Sequence, residues 1–394
     1  MRIVVVQETD WLQRGPHQQH HIFERLSARG HEVIVVDFEI LYEPWPTAPL
    51  FAHRMEWSNV SRVIRDAGVH VVRPATIRLP GLARIISLAT FYKELARIVR
   101  GFRPDLIVDY AISTGASALA IARSQRIPFV MHVIDALHTL APHRWTWPLA
   151  RSFEALLLRN ADATIYINEK LKEYGVALGA RPETASTVRT GVDLDRFHPD
   201  RDVSELRRKW GIEPDEVLLV FVGWLYQFSG VDTVMRLMPE MPHRLKMLVV
   251  GSGEAEDRLQ ALRESLGLHD RVIFTGRQDY ESIPDLIAAA DVCLMCSDLN
   301  PITRNIVPIK TYEYLSCGCP VLASELPGVM SEVPPGNGII YAPKDELLPA
   351  LQRLLDPTTR EREGRKARTF TQENCDWSKL AYRFEQILSS IIAP

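Results

Sequence analysis

Short runs of β-branched residues recur along this chain, each separated from the next by a stretch with helical spacing. IVVV (3–6), EVIVVDF (32–38), VHVVR (69–73), DLIVDY (105–110), PFVMHVI (128–134) and ATIYI (163–167) carry almost no polar interruption. A strand that is apolar on both faces must be covered on both, which is the condition of a parallel sheet between layers of helices. Segments such as His17–Arg29 and Ser113–Arg123 supply those helices. The pattern then starts afresh with VLLVFVGW (217–224), LKMLVVG (245–251), RVIFTG (271–276), DVCLMC (291–296), PVLAS (320–324) and GIIYA (338–342). Helices are predicted between them at Val231–Met238, Glu254–Leu266, Glu281–Ala289, Pro308–Ser316 and Asp345–Leu355, and from Pro357 to the end. The intervening 181–216 is polar and punctuated by Pro182, Gly191, Pro199, Gly211 and Pro214, which reads as a linker. The expected architecture is α/β, two doubly wound parallel-sheet domains over 1–190 and 191–372, with a terminal helix over 373–394. Ligands of such sheets sit beyond the carboxyl ends of the strands, so the loops there are where chemistry is sought.

The 394 residues suffice for two cores, and 46% apolar with 24% charged residues is ordinary for a globular chain. A formal charge of −3 excludes a nucleic-acid binder held by a basic whole-protein field. No apolar run approaches the ~18–20 residues of a membrane span, and MRIVVVQETDW lacks the basic start of a signal peptide. A soluble, cytoplasmic protein is expected. The five cysteines (293, 296, 317, 319, 375) are odd in number and confined to the C-terminal half, against a disulfide framework. The CxxC of Cys293 and Cys296 lies inside a strand run rather than at a helix start, and CGC sets two thiols awkwardly for one metal. They read as small core residues.

Two loops are informative. In SDLNPITRNIVPIKTYEYLSCGCPVLASELPG (297–328), Pro308 suits a helix start. The amides of Ile309 and Lys310, with those of 305–307, would offer donors to a phosphate, and Lys310 adds a full charge. Glu313 falls one turn later on the same face. A carboxylate there does not serve phosphate; it suits vicinal hydroxyls such as those of a ribose. Phosphate beside diol describes a nucleotide. The plainer alternative is a capped surface helix with a Lys–Glu pair.

Glu313-Tyr314-Leu315-Ser316-Cys317-Gly318-Cys319-Pro320-Val321-Leu322-Ala323 resembles the second half of the E-x7-E donor signature of the family 4 retaining glycosyltransferases. RGHEVIVVD (29–37), TGVDLDRFHP (190–199), MLVVGSGE (247–254), HDRVIFTGRQDYESIPDLIAAADVCLMCS (269–297) and a terminal helix with Trp377 extend the likeness over nearly the whole chain. The resemblance implies the GT-B fold, two Rossmann-like domains facing a cleft with the last helix crossing back. It also implies transfer of a sugar from a nucleoside diphosphate, UDP or GDP, with the anomeric configuration retained. Carried across, Glu313 would hold the ribose hydroxyls. Ile306 and Val307, with Asn305, would face the donor sugar and β-phosphate, and Arg277 would border the base.

The chain departs from that family in several places. The first motif glutamate is Asn305, which still hydrogen-bonds but carries no charge, and the usual Gly three residues on is Pro308. In VGWLYQFSG (222–230), after Gly223, the family's diphosphate-gripping arginine and lysine are Trp224 and Ser229. Arg304 and Lys310 are the candidate replacements, with Arg277 behind them. At the N-terminus Gly15 is expected to turn the chain near the diphosphate. His17, His20 and His21 share a helical face, open to acceptor contacts, plain packing or, less well, zinc. In MHVIDALHT the polar groups are His132, Asp135 and His138; Asp135 is best placed to relay the acceptor proton, His138 next, and a capping Asp is the alternative. Asp193-Leu194-Asp195 is read as interdomain structure, not a metal motif, and no metal or other cofactor is expected. Gly251-Ser252-Gly253 lacks the third glycine of a dinucleotide fingerprint.

Residues 51–100 hold nine Arg/Lys against three Asp/Glu. IRLPGLARIISLATFYKELARIVRGF (77–102) and HRWTWPLARSFEALLLR (143–159) interleave those charges with aliphatics and aromatics. Such stretches either lie on an anionic leaflet or pack on their own sheet with snorkelling arginines. The expectation is thus a retaining glycosyltransferase with a glycan or lipid-linked acceptor, peripheral on the cytoplasmic membrane face. The alternatives are a silent nucleotide-sugar binder and a sugar-nucleotide epimerase or phosphorylase of the same fold.

Overall fold

The computed structural model describes all residues except 14–15, 40–46, 80–81, 141–143, 301–302, 305 and 393–394. The chain divides into two compact units: Met1–Thr190 with the segment from Trp377 onward, and Gly191–Asp376. The return to the first unit thus begins at Trp377 rather than at 373.

Among the described residues the first unit holds ten strands: β1 (Arg2–Val6), β2 (Glu32–Val36), β3 (Phe51–Ala52), β4 (Met55–Val60), β5 (Val69–Arg73), β6 (Thr76–Ile77), β7 (Leu106–Asp109), β8 (Phe129–Val133), β9 (Ala163–Tyr166) and β10 (Ala185–Thr187). Eight form one sheet in the order β10-β9-β8-β7-β1-β2-β5-β4, while β3 and β6 make a small antiparallel ribbon. Every pair in the large sheet is parallel except β4 with β5. That antiparallel edge corrects the expectation of a purely parallel sheet. Its sequence, MEWSNV, is too polar and too exposed to read as a covered strand.

The two apolar faces of this sheet are covered separately. On one, Phe91, Leu95, Ala118 and Leu157 pack on Val4, Ile107 and Met131. On the other, Phe23 and Ile22 of the helix Gln18–Ala28 meet Trp377, Leu380, Phe384 and Leu388 of the terminal helix Trp377–Ile392 over Ile3, Val5 and Val108. The ring of Phe384 stands edge-on to Phe23, centroids 5.9 Å apart.

The second unit is a wholly parallel sheet of β11 (Val217–Val222), β12 (Leu245–Val250), β13 (Val272–Gly276), β14 (Val292–Met295), β15 (Val321–Ser324) and β16 (Ile339–Ala342), in the order β13-β12-β11-β14-β15-β16. The order reverses between β11 and β14, and the crevice at such a reversal is where ligands of doubly wound sheets bind. All five cysteines are buried and unbridged, as the strand reading of DVCLMC implied. The single helix expected after Pro357 is two, Pro357–Asn374 and Trp377–Ile392. The break falls where the Cys375 carbonyl turns to accept the Val192 amide (2.8 Å) and Asp376 bridges to Val192.

Candidate functional site

In the second unit the loops that follow β11 and β14 bring Gly223, Lys310 and Glu313 together. The helix carrying the last two runs Lys310–Ser316, so it begins two residues later than Pro308. Pro308 and Ile309 form a tight turn into it, the Thr311 amide donating to the Pro308 carbonyl at 2.9 Å. With only seven residues, the helix offers little dipole, and the ammonium of Lys310 is the charge that matters. Lys310 Nζ donates to the Val222 carbonyl at 3.1 Å and lies over the Phe221 ring, 4.0 Å from its centroid. A Cβ on Gly223, whose φ is +141°, would come within 3.3 Å of that nitrogen. Tyr314 fixes the same strand end, its hydroxyl accepting from the Val222 amide at 2.8 Å.

Glu313 is buried, and among the described residues its carboxylate has no hydrogen-bond partner. Burial pushes its pKa up to about 7, against the opposing charges of Lys310 and Arg196. Burial likewise lowers Lys310 to about 8, with Glu313 opposing. A buried carboxylate lacking donors is costly unless something arrives to satisfy it.

Two neighbours of Glu313 escaped the sequence reading. Arg196 stacks on the ring of Tyr280 (4.1 Å), donates to the Tyr280 carbonyl (3.2 Å) and pairs with Glu281 (2.8 Å). Burial first, then the charge of Glu313, pushes the Tyr280 phenol up. The only hint was their place, one inside TGVDLDRFHP and the other just after RVIFTG. Arg277 and Arg304 are exposed, and among the described residues no hydrogen bond or ion pair ties either side chain to Glu313. Ile306 is exposed and Val307 rests on the core below. Trp224 is 54% exposed, and Ser229 is buried with an unpaired hydroxyl, so neither supplies charge; Lys310 stands at Gly223 instead. Asn305 and Gly15 lie outside the described residues.

In the first unit the three N-terminal histidines diverge. His17 caps the helix Gln18–Ala28 and is exposed. His20 is buried, its Nδ1 accepting the His17 amide (3.0 Å) and its Nε2 meeting the Trp11 carbonyl (2.9 Å). His21 stacks on Trp377 at 4.7 Å. His132, fully buried, uses both nitrogens, with Tyr110 Oη at 2.6 Å and Gln18 Nε2 at 3.1 Å. Burial lowers His20 to about 4 and His132 to about 3, so both stay neutral. Of the alternatives open to His20, the structure shows packing, and the ring nitrogens of His20 and of His132, the latter a candidate on the acceptor side, are taken up by internal partners.

Asp135 is exposed at the end of β8, with its Oδ1 accepting the Ala136 amide at 2.8 Å. Its pKa is raised by partial burial, the amide opposing and Glu154 adding. His138 sits deeper, its Nδ1 2.9 Å from Glu154 Oε2. Glu154 is fully buried and was missed by the sequence reading. The available signal was its position on the same helical stripe as Leu157 and Leu158. Glu8 accepts the Thr114 amide at 2.7 Å, so the helix Ser113–Gln125 begins on the chain's own carboxylate.

Residues 19–196 match the description Glycosyltransferase Family 4, and residues 202–370 match Glycosyl transferases group 1. The chain belongs to this glycosyltransferase family. The GDP-mannose-dependent monoacylated alpha-(1-6)-phosphatidylinositol monomannoside mannosyltransferase of Corynebacterium glutamicum is 28% identical over 242 residues. That match covers 58% of this chain and 62% of the relative, so the chain spans less than two thirds of the relative's length. Among solved structures, sucrose-phosphate synthase from Thermosynechococcus elongatus superposes with a TM-score of 0.75 at 20% identity, covering 99% of this chain and 98% of the other. The Anabaena protein HepE in complex with UDP gives a TM-score of 0.75 at 18% identity, covering 99% and 100%. At such identities the likeness establishes the fold, which is GT-B.

Proposed function

We propose that this chain is a retaining glycosyltransferase that moves a sugar from a UDP- or GDP-linked donor to a glycan or lipid-linked acceptor, without a metal. The observation that carries the reading is Glu313, a buried carboxylate with no donor facing it, one helical turn from the ammonium of Lys310 beside Gly223. Vicinal ribose hydroxyls are the donors that Glu313 lacks, and a diphosphate is the anion that suits Lys310. The GDP-mannose dependence of the Corynebacterium relative and the UDP complex of HepE support this donor class. Asp135 and His138, beyond β8, are the groups available to handle the acceptor proton.

Contact with the cytoplasmic face of a membrane is part of the same reading. Among the described residues no helix is long and apolar enough to cross a bilayer. On the helix Trp147–Asn160, however, Leu149, Phe153 and Leu156 are exposed along one face, Trp145 is exposed just before the helix, and Arg151 and Arg159 are exposed on it. That pattern suits shallow insertion beside anionic headgroups. Flotation with anionic liposomes tests it; no binding with or without anionic lipid removes the membrane from the account.

The donor is tested by thermal unfolding against UDP, GDP, ADP, CDP and dTDP without added metal. At about 100 times its dissociation constant a ligand stabilises by ~2.7 kcal/mol, a visible shift. One diphosphate should raise the midpoint, and Glu313→Ala should abolish the rise. No shift from any of them refutes the donor assignment. The uncharged Trp224 and Ser229 favour a second reading, a silent nucleotide-sugar binder, which predicts the shift without turnover.

A further inference from the structure

Glu313, without a donor among the described residues, has an aromatic neighbour in the same unit. The loop after β13, Arg277-Gln278-Asp279-Tyr280-Glu281, passes near enough for the charge of Glu313 to act on the Tyr280 phenol. The charge of Lys310 acts on Glu313 in turn. β13 lies two places from β11 in the sheet, about 10 Å, a span that a nucleoside bridges. Lys310, Glu313 and Tyr280 therefore follow one another as phosphate, ribose and base do in a nucleotide.

What the loop presents is a flat ring between acceptors. The Arg196 guanidinium covers the Tyr280 ring at 4.1 Å and donates to its carbonyl at 3.2 Å, which holds the residue in place. Phe197 meets the ring obliquely, 6.3 Å away and tilted by 60°. Tyr280 still keeps 40% of its surface exposed. A ring backed by a cation and open to solvent is a stacking surface for another flat ring. Its two neighbours in the chain are carboxylates. The Asp279 carbonyl receives the amide and hydroxyl of Ser282 (3.0 and 2.8 Å), so the backbone is fixed. The Asp279 side chain is exposed and has no hydrogen bond or ion pair among the described residues. Glu281 pairs with Arg196 at 2.8 Å, and its side chain is 84% exposed. Arg277 is exposed and, among the described residues, also without a partner.

We propose that this loop is a guanine site and that the donor is a guanosine diphosphate sugar, with Tyr280 stacked on the base and the carboxylates of Asp279 and Glu281 selecting it. The inference rests on the nucleotide-sugar reading above and narrows it. An ionised carboxylate only accepts. Guanine is the base that turns two adjacent donors, N1–H and the N2 amino group, toward one partner. Uracil and thymine set their single N–H between two carbonyl oxygens, which a carboxylate repels. Adenine and cytosine place one amino group beside a ring nitrogen that is itself an acceptor. Arg277 suits the opposite edge of guanine, where O6 and N7 both accept. A site built for donors discriminates strongly against a base that lacks them, because its own polar groups are then left unpaired.

The test is calorimetric titration of the full chain with GDP, IDP, ADP, UDP, CDP and dTDP, without added metal. IDP is decisive, since hypoxanthine is guanine without the N2 amino group. GDP should bind about 10- to 100-fold more tightly than IDP, the scale of a lost bidentate pair, and more tightly than the other four. Replacing both acceptors, Asp279→Ala with Glu281→Ala, should erase the difference between GDP and IDP. Tyr280→Ala should weaken both by about tenfold or more, the scale of a lost stacking contact, and leave inorganic pyrophosphate, which has no base, bound as before. Equal affinity for GDP and IDP in the wild type, or tighter binding of any other base, overturns the guanine site while the nucleotide-sugar reading stands. A GDP preference that survives in the double variant, or wild-type GDP affinity in Tyr280→Ala, also overturns it. If none of the diphosphates binds, the nucleotide-sugar reading has failed and the guanine site falls with it. The wild-type comparison of GDP with IDP decides the matter even where a variant fails to fold.

Discussion

Glu313 and Lys310 hold each other in an unusual balance, because burial works against the charge of both. With Glu313 raised to about 7 and Lys310 lowered to about 8, both groups are charged together only in a narrow interval. Below about pH 7 the carboxyl gains a proton and loses an acceptor site for a diol. Above about pH 8 the ammonium loses the proton that attracts a diphosphate. Nucleoside diphosphate affinity is therefore expected to peak between these values and fall by up to about tenfold per pH unit on either side. Calorimetric titration across the range checks it: Glu313→Gln should flatten the acid limb and Lys310→Met the alkaline one. A dissociation constant indifferent to pH refutes the assignment of both groups. Lys310 and Glu313 could be placed on one helical face from the sequence because they lie three residues apart, and the likeness of 313–323 to a donor signature singled them out. The burial of Glu154 was not legible, since the donors to its carboxylate lie 16 to 20 residues away. Arg196 and Tyr280, 84 residues apart, were hidden for the same reason.

Strands, by contrast, announced themselves, because a buried strand is a local run of apolar residues. VHVVR (69–73) is β5 to the residue, β1 gains Arg2, and the others lose a residue or two at their ends. The misses were the edge strand β4 and the short β3, β6 and β10, whose pairing is set by distant partners rather than by their own composition. The Gly-Ser-Gly after β12 illustrates how a familiar pattern can have another cause. Gly251 has φ +134°, and a Cβ there would sit 1.9 Å from the carbonyl oxygen of Gly223. The glycine lets the loops after β11 and β12 touch backbone to backbone, just where Lys310 Nζ is received. Gly251→Ala should then cost stability through both the strained backbone and the clash. If it folds, it should weaken nucleoside diphosphate binding by about tenfold or more, since a 1.4 kcal/mol displacement of the site suffices for that. Unchanged melting and affinity together would show that the two loops do not depend on their contact.

At the scale of the whole molecule, the first unit is discontinuous in sequence. Trp377, Leu380, Phe384 and Leu388 are buried in its core beside Ile22, Phe23 and Val108. A chain ending at Asp376 is therefore expected to retain the second unit, with nucleoside diphosphate binding, and to lose cooperative melting of the first. Loss of even one such aromatic typically costs about 3–5 kcal/mol, and a domain has only about 5–15 kcal/mol to lose. Scanning calorimetry of the truncated chain checks this; two intact transitions would contradict it. The expectation of a returning helix came from the likeness of the Trp377 segment to a known family, since amphipathic spacing alone says that a helix must dock but not where. The same discontinuity bears on synthesis. Domains usually fold in order of emergence, at roughly 5–20 residues per second, yet here the first unit waits for residues that follow the whole of the second. The second unit is complete first, and for roughly ten to forty seconds of translation the nascent sheet of the first carries an uncovered apolar face. The ribosome-bound chain is most exposed to chaperones, and to aggregation, over the sheet of its first unit.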